Sequence, residues 1–477
     1  MAINRVLNIA GVNTYVNPLL KNDGELLIAK NVESYPYGAK RKRPGYITYL
    51  GTADGNEVNT IFSWLRNDGT TLTVYRASGS SLYSSNQGTA SWQLCGNGTI
   101  GNGSHVGYAV LDNILAIGDG EGSARHSSNG TSFTNTSLAP VGEHLVAYQN
   151  RMFIGGTSST LFYSNAIIPG ETYGGTASWD TTSPNDSASF NLPGAGKINS
   201  IFISNDRVVS SKTSGRMFTW DNYELADMST TQGPSSPYSV AEKEGYHLWL
   251  NRDGIQSFGG GVPTLISNPI QSQIYNDVGD GISGSIFDDA PATIHHYDYL
   301  TSVGTVTDDL LNETYPDNII KYNFQKNEFV NWQFEDNPTS WHSLNDIDGD
   351  RVLVFGDSGG QCYKMDGSAN TDNGTAIEAE MVFSIHLGAP DIEKEWKRIV
   401  AIFNPGCEAK VQVAFSDSFS MDHLVWVPVD DSPTGIYKYR FEQGARSRLL
   451  FVRIHESSKD TRFIFYGFTV EAEPVGR

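Results

Sequence analysis

Three carboxylates stand at alternate positions in Asp346-Ile-Asp-Gly-Asp350, the spacing with which a calcium loop gathers oxygen ligands. Gly349, however, is fourth rather than sixth in that loop, and Asp357 rather than glutamate is twelfth. The run Arg351-Val-Leu-Val-Phe follows directly as a strand, so the segment reads as a hairpin turn. His295-His296 lies in a strand-like run, where neighbouring side chains point to opposite faces and make a poor metal pair. Gly259-Gly-Gly261 opens no helix and carries no lysine, which argues against a phosphate loop. Cys95, Cys362 and Cys407 are scattered, with no Cys-x-x-Cys pair, so neither a zinc site nor a disulfide framework is expected. Glycoside hydrolysis needs two carboxylates at a set separation, and none of the 53 acidic residues stands out in such a motif. No Gly-x-Ser-x-Gly elbow is present. The expectation is a protein without catalytic residues, cofactor or metal.

Charge bounds the partners. The chain has 33 basic and 53 acidic residues, a net charge of −20, unevenly placed. Residues 1–50 hold seven basic and three acidic side chains, residues 371–477 hold 12 and 16, and residues 51–370 hold the remaining 14 and 34. Tight non-specific nucleic-acid binding needs clustered Lys and Arg that release counterions, so ordinary DNA binding is disfavoured. A surface that DNA slides past without sticking is compatible with the sequence. No apolar run approaches the ~18–20 residues of a membrane span. The start of the chain shows no basic patch followed by an apolar core, so no secretory signal is expected. With few cysteines, synthesis in a reducing compartment is expected, and the Asn-x-Ser/Thr sequons at Asn97, Asn102, Asn129, Asn135, Asn185, Asn312 and Asn373 read as turn sequences.

The elements that would position any site are almost all strands. Leu19–Val32 and Pro390–Trp396 are the best helix candidates, the first opening at Asn22-Asp23-Gly24-Glu25. Elsewhere short β-branched and aromatic runs alternate with Gly, Asn, Asp and Ser, as in all-β folds. Between residues 56 and 370 an irregular unit of apolar strand, polar turn, second strand and aromatic-ended third strand recurs about seven times. Its second strands include Thr71–Tyr75, Ile114–Gly118, Arg151–Gly156, Arg207–Ser211, Tyr246–Leu250, Tyr299–Val303 and Arg351–Gly356. The last unit lacks an outer strand, which Tyr46-Ile-Thr-Tyr-Leu50 is placed to supply. These features predict a β-propeller of about seven blades, with an open or distorted ring allowed.

The chain divides into residues 1–55 (N-terminal arm and closing strand), 56–370 (propeller) and 371–477. In the last region, strands over 377–385, 396–403, 410–416, 423–429, 436–441, 449–454 and 463–470 lack the blade pattern and predict a β-sandwich. Tyr83–Trp92 and His126-Ser-Ser-Asn-Gly-Thr-Ser-Phe133 resemble degenerate Asp-box hairpins of sialidase propellers, a turn pinned by a short polar side chain. That likeness, with 11% aromatic residues able to stack on sugars, supports an alternative reading as a carbohydrate-binding or sialidase-like propeller acting in receptor recognition.

The basic cluster Lys40-Arg-Lys-Arg-Pro-Gly-Tyr46 abuts a body of opposite charge. It reads as an arm pinned by electrostatics against its own propeller or a neighbouring subunit. The Gly11-Val-Asn arm, the Asp23-Gly-Glu-Leu-Leu-Ile-Ala-Lys-Asn-Val32 segment and the exit at Arg43-Pro-Gly-Tyr46 resemble the start of tailed-bacteriophage tail proteins. These are known as nozzle proteins, tail tubular protein B or packaged-DNA stabilisation proteins. The likeness continues through Arg151-Met-Phe-Ile-Gly-Gly, Lys197-Ile-Asn-Ser-Ile-Phe, Arg216-Met-Phe-Thr-Trp and Lys410-Val-Gln-Val-Ala-Phe-Ser-Asp.

The resemblance implies a structural virion protein made in the host cytoplasm. It would form a homo-oligomeric ring, a hexamer, below the portal and adaptor, extending the DNA channel and helping to retain and later eject packaged DNA. Implied partners are adaptor and portal-proximal tail proteins, tail fibre, spike or needle proteins, and DNA passing without sequence-specific binding. No catalytic, cofactor or metal residues carry over. Asn13, Tyr15, Pro18, Lys40, Arg41, Lys42, Arg43, Pro44, Gly45 and Tyr46 are the assembly residues to examine.

Overall fold

The computed structural model describes residues 2–6, 9–14, 21–86, 91–167, 172–182, 186–221, 224–274, 281–308, 311, 313–346, 349–418, 421, 423–429 and 435–475. Seven sheets follow one another from Val58 to Asp366, which is the β-propeller the repeating strand pattern predicts. The first five are four-stranded antiparallel meanders, beginning at Val58, Gly107, His144, Ile198 and Ala241. Local turn chemistry makes them. Asp112-Asn113, Gln149-Asn150 and Asn205-Asp206 each place two consecutive residues at φ 46–60° between the first and second strands of a blade. Such two-residue turns match the strand twist, and Asn and Asp tolerate the left-handed region.

Each second strand is buried on both faces, as in Ile114–Gly118 and Leu72–Ser78, because a neighbouring blade packs on either side. Phe62 and Tyr75 of the first blade meet Leu115 and Ile117 of the second, and Leu111 and Ala116 meet Met152 and Ile154 of the third. Phe153 meets Val208 and Trp220, and Phe202 meets Trp249 and Phe258. The seventh sheet packs on the first through Leu344, Val354 and Cys362 against Val58, Ile61 and Val74. Gly45–Thr48 adds a fourth strand, paired antiparallel with Cys362–Asp366 as the sequence predicts, and the short strands Thr371–Asp372 and Thr375–Ala376 extend the sheet beyond it.

The sixth blade departs from the pattern. Its four strands, Ala292–His295, Asp298–Asp308, Glu313–Asn323 and Glu328–Gln333, join a larger nine-stranded sheet. Leu26–Lys30 runs parallel to Glu328–Gln333 on one side and antiparallel to Ala379–Ile385 on the other. The C-terminal strands form two facing layers. One contains Ala379–Ile385, Leu449–Glu456 and Lys410–Ser416; the other contains Lys394–Phe403, Ile464–Pro474 and Ile436–Arg440. Phe383 of the first layer meets Phe465 and Phe468 of the second at ring-centroid distances of 6.0 and 5.1 Å.

Both helix expectations give way to strands. Leu26–Lys30 is buried along its length, so its continuous apolar run serves a sheet packed on both faces. Lys394 already begins the strand to Phe403. The described α-helices are instead Gln271–Ile274 and Gly284–Asp289, between the fifth and sixth blades.

Candidate functional site

The basic cluster lies inside the subunit. Lys40 and Lys42 belong to a short strand, Lys40–Lys42, which joins Val32–Ser34 to the final strand Ile464–Pro474. Lys40 Nζ sits 2.8 Å from Glu328 of the sixth blade and 2.8 Å from Ser34 Oγ. Burial lowers the pKa of Lys40, and Glu328 pulls against that shift. Arg41 Nε reaches Glu33 at 2.6 Å and stacks over Tyr35. Lys42 Nζ meets Glu456 at 3.1 Å and donates to the carbonyl of Ser458 at 2.6 Å, both near the sandwich strands.

Arg43 is the hub. Nη1 donates to Asp372 Oδ1 at 2.8 Å, Nε donates to Asn31 Oδ1 at 2.9 Å, and Nη2 donates to the carbonyl of Gln333 at the end of the sixth blade. The guanidinium also lies 4.4 Å from the Phe334 ring centroid. A planar fork with five donors suits this convergence of carboxylate, amide and carbonyl acceptors. Pro44 gives its carbonyl to Arg43 Nη1 at 3.0 Å. Gly45 passes so close to Thr371 that a Cβ there would stand 1.9 Å from its carbonyl oxygen. Tyr46 is fully buried, donates to Asp336 Oδ2 at 3.0 Å, and packs on Phe334, Phe355 and Tyr363.

The other assembly residues fall differently. Asn13 Nδ2 donates to Glu25 at 3.1 Å, while Tyr15 and Pro18 lie outside the described residues. The arm is therefore pinned within its own chain, stitching the sixth blade, the seventh blade and the sandwich together. Lys40, Lys42, Arg43 and Tyr46 are too deeply buried to present side chains to a second subunit.

The propeller axis holds a cavity of about 760 Å³. The innermost segments of all seven blades contribute to it, including Asn59, Tyr108, His144, Phe202, Glu242, Ile294 and His342. The wall mixes imidazoles with a few charges. His105 Nε2 lies 3.3 Å from Asp289 and stacks on Tyr238. Burial raises the pKa of Glu143, but His144 and Lys197 outweigh it and hold the carboxyl at about 2. His342 Nε2 is 2.8 Å from Ser63 Oγ, and burial together with Arg351 lowers its pKa to about 4.

His295 Nδ1 is 3.0 Å from Ser343 Oγ, and its pKa falls to about 3 through burial, then His296 and Arg351. The His295-His296 expectation is corrected on one point. His296 sits at φ 54° in the turn after the strand, so the rings meet at 4.3 Å instead of parting to opposite faces.

Of the calcium-loop-like motif, Asp346 and Asp350 are described and lie between two strands; of the Tyr83–Trp92 motif, residues 87–90 lie outside the described residues. Asp346 accepts at Oδ1 from Asp350 N at 2.8 Å, closing the hairpin between the first two strands of the seventh blade. Among the described residues, no group of three His, Cys, Asp or Glu is arranged to hold a metal. The sequence reading missed the axial imidazoles and Arg351. Their signal was available: His342 and Arg351 flank a hairpin whose first strand opens a blade.

No family model matches the chain, and no curated protein matches it. Among solved structures it is similar to U3-55K, with TM-score 0.44 and 10% identity over 68% of this chain and 99% of that one. The WD40 propeller domain of Doa1 gives TM-score 0.40 and 9% identity over 68% and 98% of the two chains. Chaetomium thermophilum Raptor gives TM-score 0.43 and 11% identity over 68% and 30%. Likeness at this level concerns the β-propeller architecture alone.

Proposed function

We propose that the chain is a structural virion protein of a phage tail, a subunit of a nozzle ring below the portal and adaptor that extends the DNA channel. It would help retain packaged DNA and later let it out, and it would turn over no substrate. The observation that carries this reading is the Lys40–Tyr46 stitch. The segment that resembles the tail proteins ties two blades and the sandwich into one continuous body. A subunit of a pressurised conduit needs such internal rigidity. The acidic middle of the chain fits the same role, because a wall of negative charge passes a polyanion with little adhesion, whereas a basic wall traps it.

The test mixes the purified chain with its adaptor and examines the product by native mass spectrometry and electron microscopy. A six-fold ring on the adaptor is the expected result, and a persistent monomer that never joins the tail refutes the proposal. Removing residues 1–46 should abolish attachment and the cooperative melt together. A truncated protein that still assembles and melts normally would refute the role given to the stitch.

A further inference from the structure

One wall of the axial cavity carries a cation without an ion-pair partner among the described residues. Arg351 lines it, and its guanidinium has no carboxylate within ion-pair distance among the described residues. Its Nε donates to Ser343 Oγ at 3.1 Å, and among the described residues its terminal nitrogens have no acceptor. His342, also in the wall, and His295, behind Ser343, stand beside it. Arg351 is thus a wall cation without a carboxylate partner at a cavity of about 760 Å³.

A second observation points the same way. Asn59 Oδ1, Ser340 Oγ and His247 Nδ1 belong to residues that line this cavity, are more than nine-tenths buried, and find no hydrogen-bond partner. Buried polar atoms are normally satisfied, so several orphans around one void mark a polar occupant.

We propose that the axial cavity is a binding site for a small, polar oxyanion, with its phosphate or carboxylate head on Arg351 and Ser343. His342 stands at its flank, and the orphaned polar atoms meet the remainder of the ligand. A guanidinium fork presents parallel N–H groups to two oxygens of such a head, which selects planar or tetrahedral oxyanions over halides. A void of about 760 Å³ is within the range of small-molecule sites. The other charges facing the cavity or its neighbours lie elsewhere or are engaged. Glu143 pairs with Lys197 and His144, and His105 with Asp289. Glu242 accepts from Gly245 N, and Asp298 beside His295 is held by Lys321 at 2.9 Å. Burial and neighbouring cations keep His342 and His295 neutral when the site is empty. Near neutral pH the anion is therefore met by the Arg351 guanidinium and the Ser343 hydroxyl, with the imidazoles as neutral hydrogen-bonding groups.

The probe is inorganic phosphate, titrated calorimetrically into the full chain near pH 6 and near pH 8, with chloride at matched ionic strength as control. One phosphate per chain is expected at both pH values, and Arg351→Gln should weaken it by about tenfold or more. The melting temperature in chloride checks that the variant is folded, and His342→Gln replaces it if it is not. Absence of saturable phosphate binding by the native chain, or binding unchanged in the folded variant, overturns the proposal. It stands or falls independently of the tail role.

Discussion

The first five blades and the seam around residues 21–48 solve the same problem, how to finish a sheet, in opposite ways. In the first four blades the outer strands Gln93–Thr99, Thr134–Asn135, Ala188–Asn191 and Leu225–Asp227 are short or largely exposed, and the sheet stops there. Their ion pairs are half-open, as in Arg216 with Asp227 and Arg207 with Asp221. Arg76 and Arg125 are buried exceptions, each tying a carboxylate and a backbone carbonyl of an adjoining blade. At the seam the edges are consumed. Gly45–Thr48 completes the seventh sheet, and Leu26–Lys30 fuses the sixth to the sandwich.

The ion pairs there, Lys42 with Glu456 and Arg43 with Asp372, are shut away from solvent. Apolar side chains hold neighbouring blades together without fixing which distant strand belongs where. A buried charge left unpaired is so costly that it specifies its partner.

The largest expected effect tests that contrast. Asp372→Ala leaves the Arg43 guanidinium buried without its carboxylate and should cost ~3–5 kcal/mol in a urea melt. Replacing both partners, Arg43→Met with Asp372→Leu, should recover much of the loss. Leu115→Ala, wholly buried between the first two blades, should cost ~2–5 kcal/mol. The two single variants should differ in reach. Hydrogen exchange in Asp372→Ala is expected to rise in Leu26–Lys30, Gly45–Thr48 and Glu328–Gln333, and in Leu115→Ala only around the first two blades. A loss below ~1 kcal/mol in Asp372→Ala would mean that the seam is held by packing like everything else.

Much of this contrast was visible in the chain, and the part that was not has a physical reason. The seven units, the outer strand supplied from Tyr46 and the C-terminal strands could be read because each is a local run bounded by its own turn residues. Leu26–Lys30 was lost to a helix because a continuous apolar run carries no period, and its neighbours Glu328–Gln333 and Ala379–Ile385 lie some 300 residues or more away. Pro390–Trp396 misled through acidic residues that mimic a helix start. The burial of Lys40–Arg43 was half legible: opposite charge predicted the pinning, but only the fold gives the partners Glu328, Glu33, Glu456 and Asp372. The cavity around Arg351 was not legible, since its lining comes from one or a few residues of every blade.

A second prediction turns on a buried seam cation, Lys21, that breaks the pairing rule. Lys21 is 1% exposed, its Nζ has no partner among the described residues, and burial lowers its pKa to about 7 against a weaker pull from Glu25. The folded-state value lies below the unfolded one, so the unfolded chain holds the extra proton between about pH 7 and pH 10.5. Stability should therefore rise with pH across that window, by at most about 1.4 kcal/mol per pH unit for this proton. Lys21→Met should be more stable than the native chain at pH 7 and should flatten that slope by one proton's worth. An unchanged slope in the variant would show that Lys21 stays charged when folded, with a partner that completes the seam's rule.

The smallest effect belongs to the blades, where local turns rather than distant charges set the register. In the hairpin after Arg125–Ser127, Asn129 Oδ1 accepts from Thr131 N at 2.9 Å and Ser132 N at 3.0 Å. The turn also reaches the first blade, because the carbonyl of Gly130 accepts from Tyr75 Oη at 2.9 Å. Asn129 supplies only acceptor capacity in these bonds, so a carboxylate would serve as well. Asn129→Ala should cost about 1 kcal/mol, and Asn129→Asp should be close to neutral. Both variants should leave exchange in the seam strands untouched. If Asn129→Asp falls as far as Asn129→Ala, the amide group rather than the acceptor oxygen holds the turn. If either variant loosens Gly45–Thr48, blades and seam are coupled, and the division between them fails.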